Sequence, residues 1–312
     1  MKKESFAKKD FISIADWSPE DLWNLLLLSF RMKEYPANYS DALKGKSVAM
    51  IFEKQSLRTH VTFDVGIYQL GGHSIYLSQQ GINLGKRESI HDVAKNLERW
   101  VDGLVIRTYA HSNCTDLAKY MWCPVINALD ELEHPCQAVG DFLTIIENFG
   151  DVQGKKLAFI GDGNNVCHSL MLLAAKLGMN FTAAIPKGYE PVSDVVKLAR
   201  KFAKQSGAKI EILNNAKEGA RNADVIYTDV WASMGQEAEK EERARIFKEF
   251  QINAKLMKQA KETAIFMHCL PAHRGEEVTD EVMDGKQSRI FDEAENRLHT
   301  QKAILHTLMA GM

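Results

Sequence analysis

A hydroxyl, a guanidinium and a second hydroxyl stand within four residues at Ser56-Leu57-Arg58-Thr59. That set suits a dianion, with phosphate the first guest to consider. Arg58 offers a planar fork of donors to phosphate oxygens, and Ser56 and Thr59 add short hydroxyl donors that can also cap a following helix. A helix beginning here would point its unpaired N–H groups and positive dipole end at the same guest. The same tetrapeptide also serves as an ordinary N-cap on a solvated face, and alone it does not separate the two. Further along, His134 and Gln137 stand three apart with Asp141 four beyond, so one helix face would carry all three. Imidazole and amide can both donate to a carbonyl oxygen; a capping His with a solvated Gln is the plainer alternative. Arg107 closes an apolar run and would reach a phosphate or carbonyl oxygen from the C-terminal edge of a parallel sheet, where such folds place ligands.

Gly161-Asp162-Gly163-Asn164-Asn165 follows another apolar run and resembles a dinucleotide turn, but it lacks the third glycine. No acid ends the next strand near Ile185, which argues against a nicotinamide enzyme. The turn presents an Asn side chain over the sheet edge instead. Asp229 would sit at a strand end as an anion facing a cleft, where buried acids pair with a neighbouring Lys or Arg or with a ligand ammonium. Cys269 lies beside His268, yet adjacent strand residues point to opposite sides, which argues against a Cys–His nucleophile pair. A buried inert thiol is the competing reading. Arg297 follows Glu293 and Glu295 and by itself reads as a surface ion pair worth little.

Elements that would position these residues can be read from the apolar runs. Ser47–Phe52, Gly103–Ile106 and Cys123–Ala128 alternate with helical patterns, and the alternation restarts at Lys156–Gly161, Phe181–Ile185, Lys209–Leu213, Val225–Tyr227 and Ile265–His268. Two α/β domains follow, each a mainly parallel sheet flanked by helices and joined by helices. The expected boundaries are 1–148 and 149–292, with a C-terminal helix over 293–312 packing back on the first domain. HPCQAVGDFLTIIENFG reads as a hinge helix, with Pro135 in its first turn and Gly150 as its stop; Ser18-Pro19-Glu20-Asp21 starts another. After Thr59 the pattern conflicts: Val61, Phe63, Val65 and Ile67 alternate as a strand would, while Val61, Val65 and Tyr68 fit a helix.

At 312 residues, 45% hydrophobic and 26% charged, the chain matches an ordinary globular protein rather than a disordered or fibrous one. A net charge of −2 gives no general pull on nucleic acid, and the Lys and Arg residues of 240–248 read as a solvated face. Five cysteines with no CxxC pair suggest neither a disulfide framework nor a zinc ribbon, and so a reducing cytoplasm. The basic start leads into polar residues rather than a signal peptide, and the run at Leu26–Leu28 is too short to cross a bilayer.

Taken together, FEKQSLRT, VIRTY, HPCQ, GDGNN, DVWASMG, HCLP and ENRLHTQKA, in this order from Phe52 to Ala303, resemble the aspartate/ornithine carbamoyltransferase family. The resemblance implies transfer of the carbamoyl group of carbamoyl phosphate to an amine, without a metal or cofactor. It implies that Ser56, Leu57, Arg58 and Thr59 hold the phosphate at a helix N-terminus, which would settle the conflicted segment as helix. Arg107, His134, Gln137 and Arg297 would surround the carbamoyl and phosphate groups. Asn165, Asp229, Ser233 and Met234 would bind the amino-acid end of ornithine, with Cys269 and Leu270 near its δ-amine. The catalytic set would be Arg58, Arg107, His134, Cys269 and Arg297. HCLP points to ornithine over aspartate, and the intact SMG to ornithine over putrescine. Asn83 falls in a loop that in this family reaches a neighbouring subunit, which implies a trimer or a multiple of it. Leu57 stands where many members have Thr, and His60 where many have Arg; Leu57 would serve through its backbone N–H.

Overall fold

The computed structural model describes residues 10–78, 82, 84–232 and 237–310. They divide into two compact units, Met1–Val139 with Arg297–Met312, and Gly140–Asn296. The divisions fall inside the helices Pro135–Phe149 and Ile290–Met309, whereas the sequence reading draws them at 148/149 and 292/293.

In the first unit β1 (Ser47–Phe52), β2 (His73–Ser78), β3 (Gly103–Arg107) and β4 (Val125–Leu129) form an all-parallel sheet in the order β2-β1-β3-β4. β1 and β3 lie inside it and are almost wholly buried. Strands covered on both faces read as unbroken apolar runs, which is why these two stand out in the sequence. β2 is not expected from the sequence. It is one of the two edge strands, half-exposed along HSIYLS, and its polar residues hide it among the turns.

The segment after Thr59 is the helix Leu57–Gln69, with Ser56 as its N-cap accepting from Thr59 N–H at 3.2 Å. Its buried face is Thr59, Phe63, Gly66 and Ile67, spaced as a helix requires. Val61 and Tyr68, on the helical face the pattern suggests, are 47% and 79% exposed. The C-terminal segment packs here: a Cβ on Gly66 would come within 3.2 Å of Lys302 Cγ, and Lys302 Nζ donates to Gln69 Oε1 at 2.9 Å.

The second unit holds β5 (Lys156–Ile160), β6 (Asn180–Ala184), β7 (Ile210–Leu213), β8 (Val225–Thr228) and β9 (Ile265–His268), all parallel in the order β7-β6-β5-β8-β9. The chain winds outward from β5 in one direction, then returns to β8 on its other side. Ligands in open α/β sheets bind outside the carboxyl ends of strands at such a switch. The helix Asn165–Leu177 rises from that end of β5, capped by the Asn164 side chain, which accepts from Val166 and Cys167 N–H at 3.1 Å. Among the described residues no helix is long and apolar enough to cross a membrane.

Candidate active site

In the first unit the β1–β3 register pairs Phe52 with Arg107, so Arg107 leaves the sheet beside the chain that runs on to Ser56. Thr59, fully buried, is the meeting point: its Oγ1 accepts from Arg297 Nη2 at 2.6 Å and faces Arg107 Nη1 at 3.5 Å. Arg297 is itself buried, which corrects its reading as a surface ion pair with Glu293 and Glu295. His134 and Gln137, at the start of the helix Pro135–Phe149, are buried as well. Burial, followed by the positive fields of Arg297, Arg107 and Arg58, holds the His134 imidazole well below its usual pKa. A neutral imidazole with one N–H to donate results. Leu57 is 75% exposed and opens the helix, so its backbone lies in the first turn, whose N–H groups have no partner within the helix. Arginines gathered on a buried hydroxyl beside a helix N-terminus and a neutral imidazole are the kind of donor set that an anion calls for. Asn83 lies outside the described residues.

In the second unit the functional side chains sit just past the strand ends. Asp229 follows β8, is 7% exposed, and accepts from Asn164 Nδ2 at 2.7 Å, from the Cys269 thiol at 3.1 Å and from Val230 N–H at 2.8 Å. Asp162 and Asp224 in the same unit pair with Arg243 and Lys261, whereas Asp229, among the described residues, accepts from an amide, a thiol and a backbone N–H. Cys269 follows β9. Burial, then the carboxylates of Asp229 and Glu293, pushes its thiol well above the ordinary range. It stays protonated and donates, which agrees with an orienting group and not a nucleophile. Leu270 comes next, in a left-handed conformation at φ 58°. Asn165 opens the helix that Asn164 caps. Ser233 and Met234 lie outside the described residues.

The Gly161–Asn165 turn is closed to a dinucleotide. A Cβ on Gly163 would stand 2.3 Å from Pro191 N, so the close backbone approach this glycine permits is taken by its own chain. The ligating atoms of Asp229, His268 and Cys269 lie within 4.8 Å of one another, but the His268 ring is engaged with Leu270 N–H and Glu277, and the thiol keeps its proton.

Several residues behind these escape sequence reasoning. Asn164, not Asn165, touches Asp229; its signal is its place as an N-cap type before the helix. Arg243, read among the solvated charges of 240–248, is 6% exposed and donates to Asp162 Oδ2 at 3.1 Å, to Trp231 O at 2.9 Å and to Glu239 Oε2 at 2.9 Å. It ties the chain on either side of the 233–236 segment to the end of β5. Tyr227 bridges Asp141 Oδ2 and Glu293 Oε1 at 3.2 and 3.1 Å, and burial, then Asp141, pushes the Glu293 carboxyl well above its ordinary range. Asp141 thus stands with Tyr227 and Glu293 inside the second unit.

Two parallel-sheet units, one ending in an arginine-lined anion site and the other in an acid, amide and thiol at the strand ends, define the class as a two-substrate α/β transferase. Residues 9–147 match the carbamoyl-P binding domain, and residues 153–308 the Asp/Orn binding domain, of aspartate/ornithine carbamoyltransferase. The chain belongs to the aspartate/ornithine carbamoyltransferase family. It is 53% identical over 303 residues to the ornithine carbamoyltransferase of Anoxybacillus flavithermus, covering 96% of each chain. It is 49% identical over 310 residues to that of Pyrococcus horikoshii, covering 99% of this chain and 98% of the relative. The solved ornithine carbamoyltransferase from Pyrococcus furiosus superposes with a TM-score of 0.95 at 48% identity, covering 98% of each chain.

Proposed function

We infer that the protein transfers the carbamoyl group of carbamoyl phosphate to the δ-amine of L-ornithine, giving L-citrulline and phosphate. The observation that carries this reading is the gathering of Arg107 and Arg297 on Thr59 at the helix start that also bears Ser56, Leu57 and Arg58. The first unit is the carbamoyl phosphate half: Ser56, Leu57 N–H, Arg58, Thr59, Arg107 and Arg297 take the phosphate, and His134 and Gln137 the carbamoyl group. Asn83 completes it from a neighbouring copy. The second unit is the ornithine half: Asp229, with Asn165, Ser233 and Met234, takes the α-amino and α-carboxylate end, and Cys269 and Leu270 orient the δ-amine. The amide, thiol and backbone N–H that donate to buried Asp229 carry no charge, which supports a cationic acceptor.

The neutral δ-amine attacks the carbamoyl carbon, a C–N bond forms, and negative charge grows on the carbonyl oxygen. Arg58, Arg107 and the neutral His134 N–H would meet that charge with preplaced donors, stabilising it more than the ground state. The C–O bond to phosphate then breaks, the arginines hold the departing dianion, and the amine proton leaves with it or to water. Holding two substrates at attack distance removes much of the entropic barrier, and no enzyme-bound carbamoyl is needed.

Exposed Leu57, Val61, Tyr68 and Tyr76 on the first unit support assembly of copies, with a homotrimer or a multiple of it as the form. Five buried free cysteines support a cytoplasmic setting. A Pyrococcus furiosus relative is named an anabolic ornithine carbamoyltransferase, which supports a place in amino-acid biosynthesis, in arginine metabolism. The test is citrulline formation from carbamoyl phosphate with L-ornithine, N-acetyl-L-ornithine, putrescine, L-lysine or L-aspartate. Turnover confined to L-ornithine is expected; turnover with another amine, or with none, rejects the assignment.

A further inference from the structure

We propose that Glu277, which touches no substrate in the reading above, is a positioning residue for ornithine, acting through the ring of His268 on the backbone turn at Cys269-Leu270. The proposal rests on the carbamoyl transfer reading and adds to it a group outside the motifs that suggested it.

The argument begins at Leu270, whose left-handed φ of 58° is one of two such values at non-glycine residues among those described. Leucine holds this conformation only where its surroundings over-determine it. At this residue the backbone N–H donates to His268 Nδ1, at 2.9 Å. A backbone N–H can only donate, so Nδ1 must carry a lone pair and the ring proton must sit on Nε2. Nε2 faces Glu277 Oε1 at 3.3 Å, with both side chains wholly buried. An acceptor there selects the tautomer that the turn requires, since the other ring nitrogen's state follows from the bond this one makes.

Glu277 is held in turn. Its carboxylate accepts from His273 N–H and its carbonyl from Ile252 N–H at 2.8 Å. The His268 backbone is fixed from the other side, its N–H donating to Glu293 Oε2 at 3.0 Å. Two buried glutamates thus bracket His268, one setting where its backbone lies and the other which nitrogen carries its proton. Cys269, between His268 and Leu270, has its thiol aimed at Asp229 Oδ1. Losing the Glu277 acceptor frees the ring to place its proton on Nδ1. There it opposes Leu270 N–H, donor against donor, and the turn moves away from the amine. Carbamoyl phosphate, bound in the other unit, is untouched.

The test uses the full-length protein. Glu277→Ala should raise the KM for ornithine about tenfold or more, as a small misplacement of an orienting group does, while the calorimetric Kd for carbamoyl phosphate stays within about twofold of wild type. Glu277→Gln, whose amide oxygen still accepts from Nε2–H, should recover most of the loss. His268→Asn, whose side-chain oxygen can accept from Leu270 N–H unaided, should make a subsequent Glu277→Ala nearly silent. Nitrogen-15 spectra of histidine-labelled wild type, with the His268 signals identified by their loss in His268→Asn, should show an unprotonated Nδ1; a protonated Nδ1 overturns the proposal without any Glu277 variant. An ornithine KM unchanged in folded Glu277→Ala, or equal weakening of both substrates, also overturns it. Wild type that makes no citrulline from ornithine rejects the reading of the activity, whereas active wild type with an indifferent Glu277 rejects only the positioning role.

Discussion

Arg297 donates to Thr59 Oγ1 across 238 residues of sequence, at 2.6 Å and with both side chains buried. The last helix is thereby tied to the first strand–helix junction, where the proposed reading places the phosphate. Thr59→Val would strand a buried guanidinium donor, which costs about 1–3 kcal/mol. Carbamoyl phosphate should bind on the order of tenfold more weakly, or worse, in calorimetry. Unchanged affinity would mean that Thr59 does not organise the arginines.

Arg58 stands in the first turn of the same helix, next to Thr59, and in the proposed reading it grips the phosphate itself. Arg58→Ala should weaken carbamoyl phosphate by several kcal/mol, as truncating a charge-assisted contact does. Isothermal titration of carbamoyl phosphate alone reads this, and an affinity equal to wild type would remove Arg58 from the phosphate grip.

Asp229 should divide the substrates. Asp229→Asn keeps the shape beside Asn164 and Cys269 but removes the charge that would meet an ammonium, so the ornithine KM should rise roughly tenfold or more. Carbamoyl phosphate affinity should hold. Loss of both together would contradict an ornithine half built on the second unit.

The Cys269 thiol, raised by burial and by Asp229, predicts a protein that carries no covalent carbamoyl group. Intact-mass measurement after incubation with carbamoyl phosphate alone should show the unmodified chain. Cys269→Ser, which keeps a donor to Asp229, should retain more activity than Cys269→Ala. A carbamoylated mass, or complete inactivity of the serine variant, would reverse the assignment.

Burial lifts the Asp162 carboxyl from 3.8 to about 6, despite Arg243. The folded state therefore holds this proton more tightly than the unfolded chain. The associated stability is fully present below the unfolded value near 3.8 and is lost as pH rises through about 6. Against Asp162→Asn, which does not titrate, wild type should gain roughly 1 kcal/mol on going from pH 7 to pH 5. Denaturant melts of both proteins at the two pH values check this, and a difference that does not change with pH would show that Asp162 does not titrate in that window.

Local sequence is enough for the interior strands and for the helix start at Ser56. β1, β3, β5 and β8 are buried on both faces and announce themselves as apolar runs. Ser56, Arg58 and Thr59 are neighbours whose geometry is that of one helix start. Hydroxyl, guanidinium, acid and thiol types at strand ends likewise restrict the chemistry before any packing is known. What stayed hidden is what depends on contacts far apart in the chain. The strand β2 is half-exposed along its length and so shows no apolar run. The helix Leu57–Gln69 shows an apolar stripe at Val61 and Tyr68 that faces outward, while burial falls on Thr59 and Gly66, residue types with little hydrophobic signature. Arg243 and Arg297 look solvated because their partners are distant in the chain, and burial of a guanidinium is decided by whether such partners arrive. That Asn164 both caps its helix and donates to Asp229 is likewise decided by packing between segments far apart in the chain. Residue type is a local property and limits which reactions are possible; burial, partner and protonation state belong to the packed chain, and only its tertiary structure assigns them.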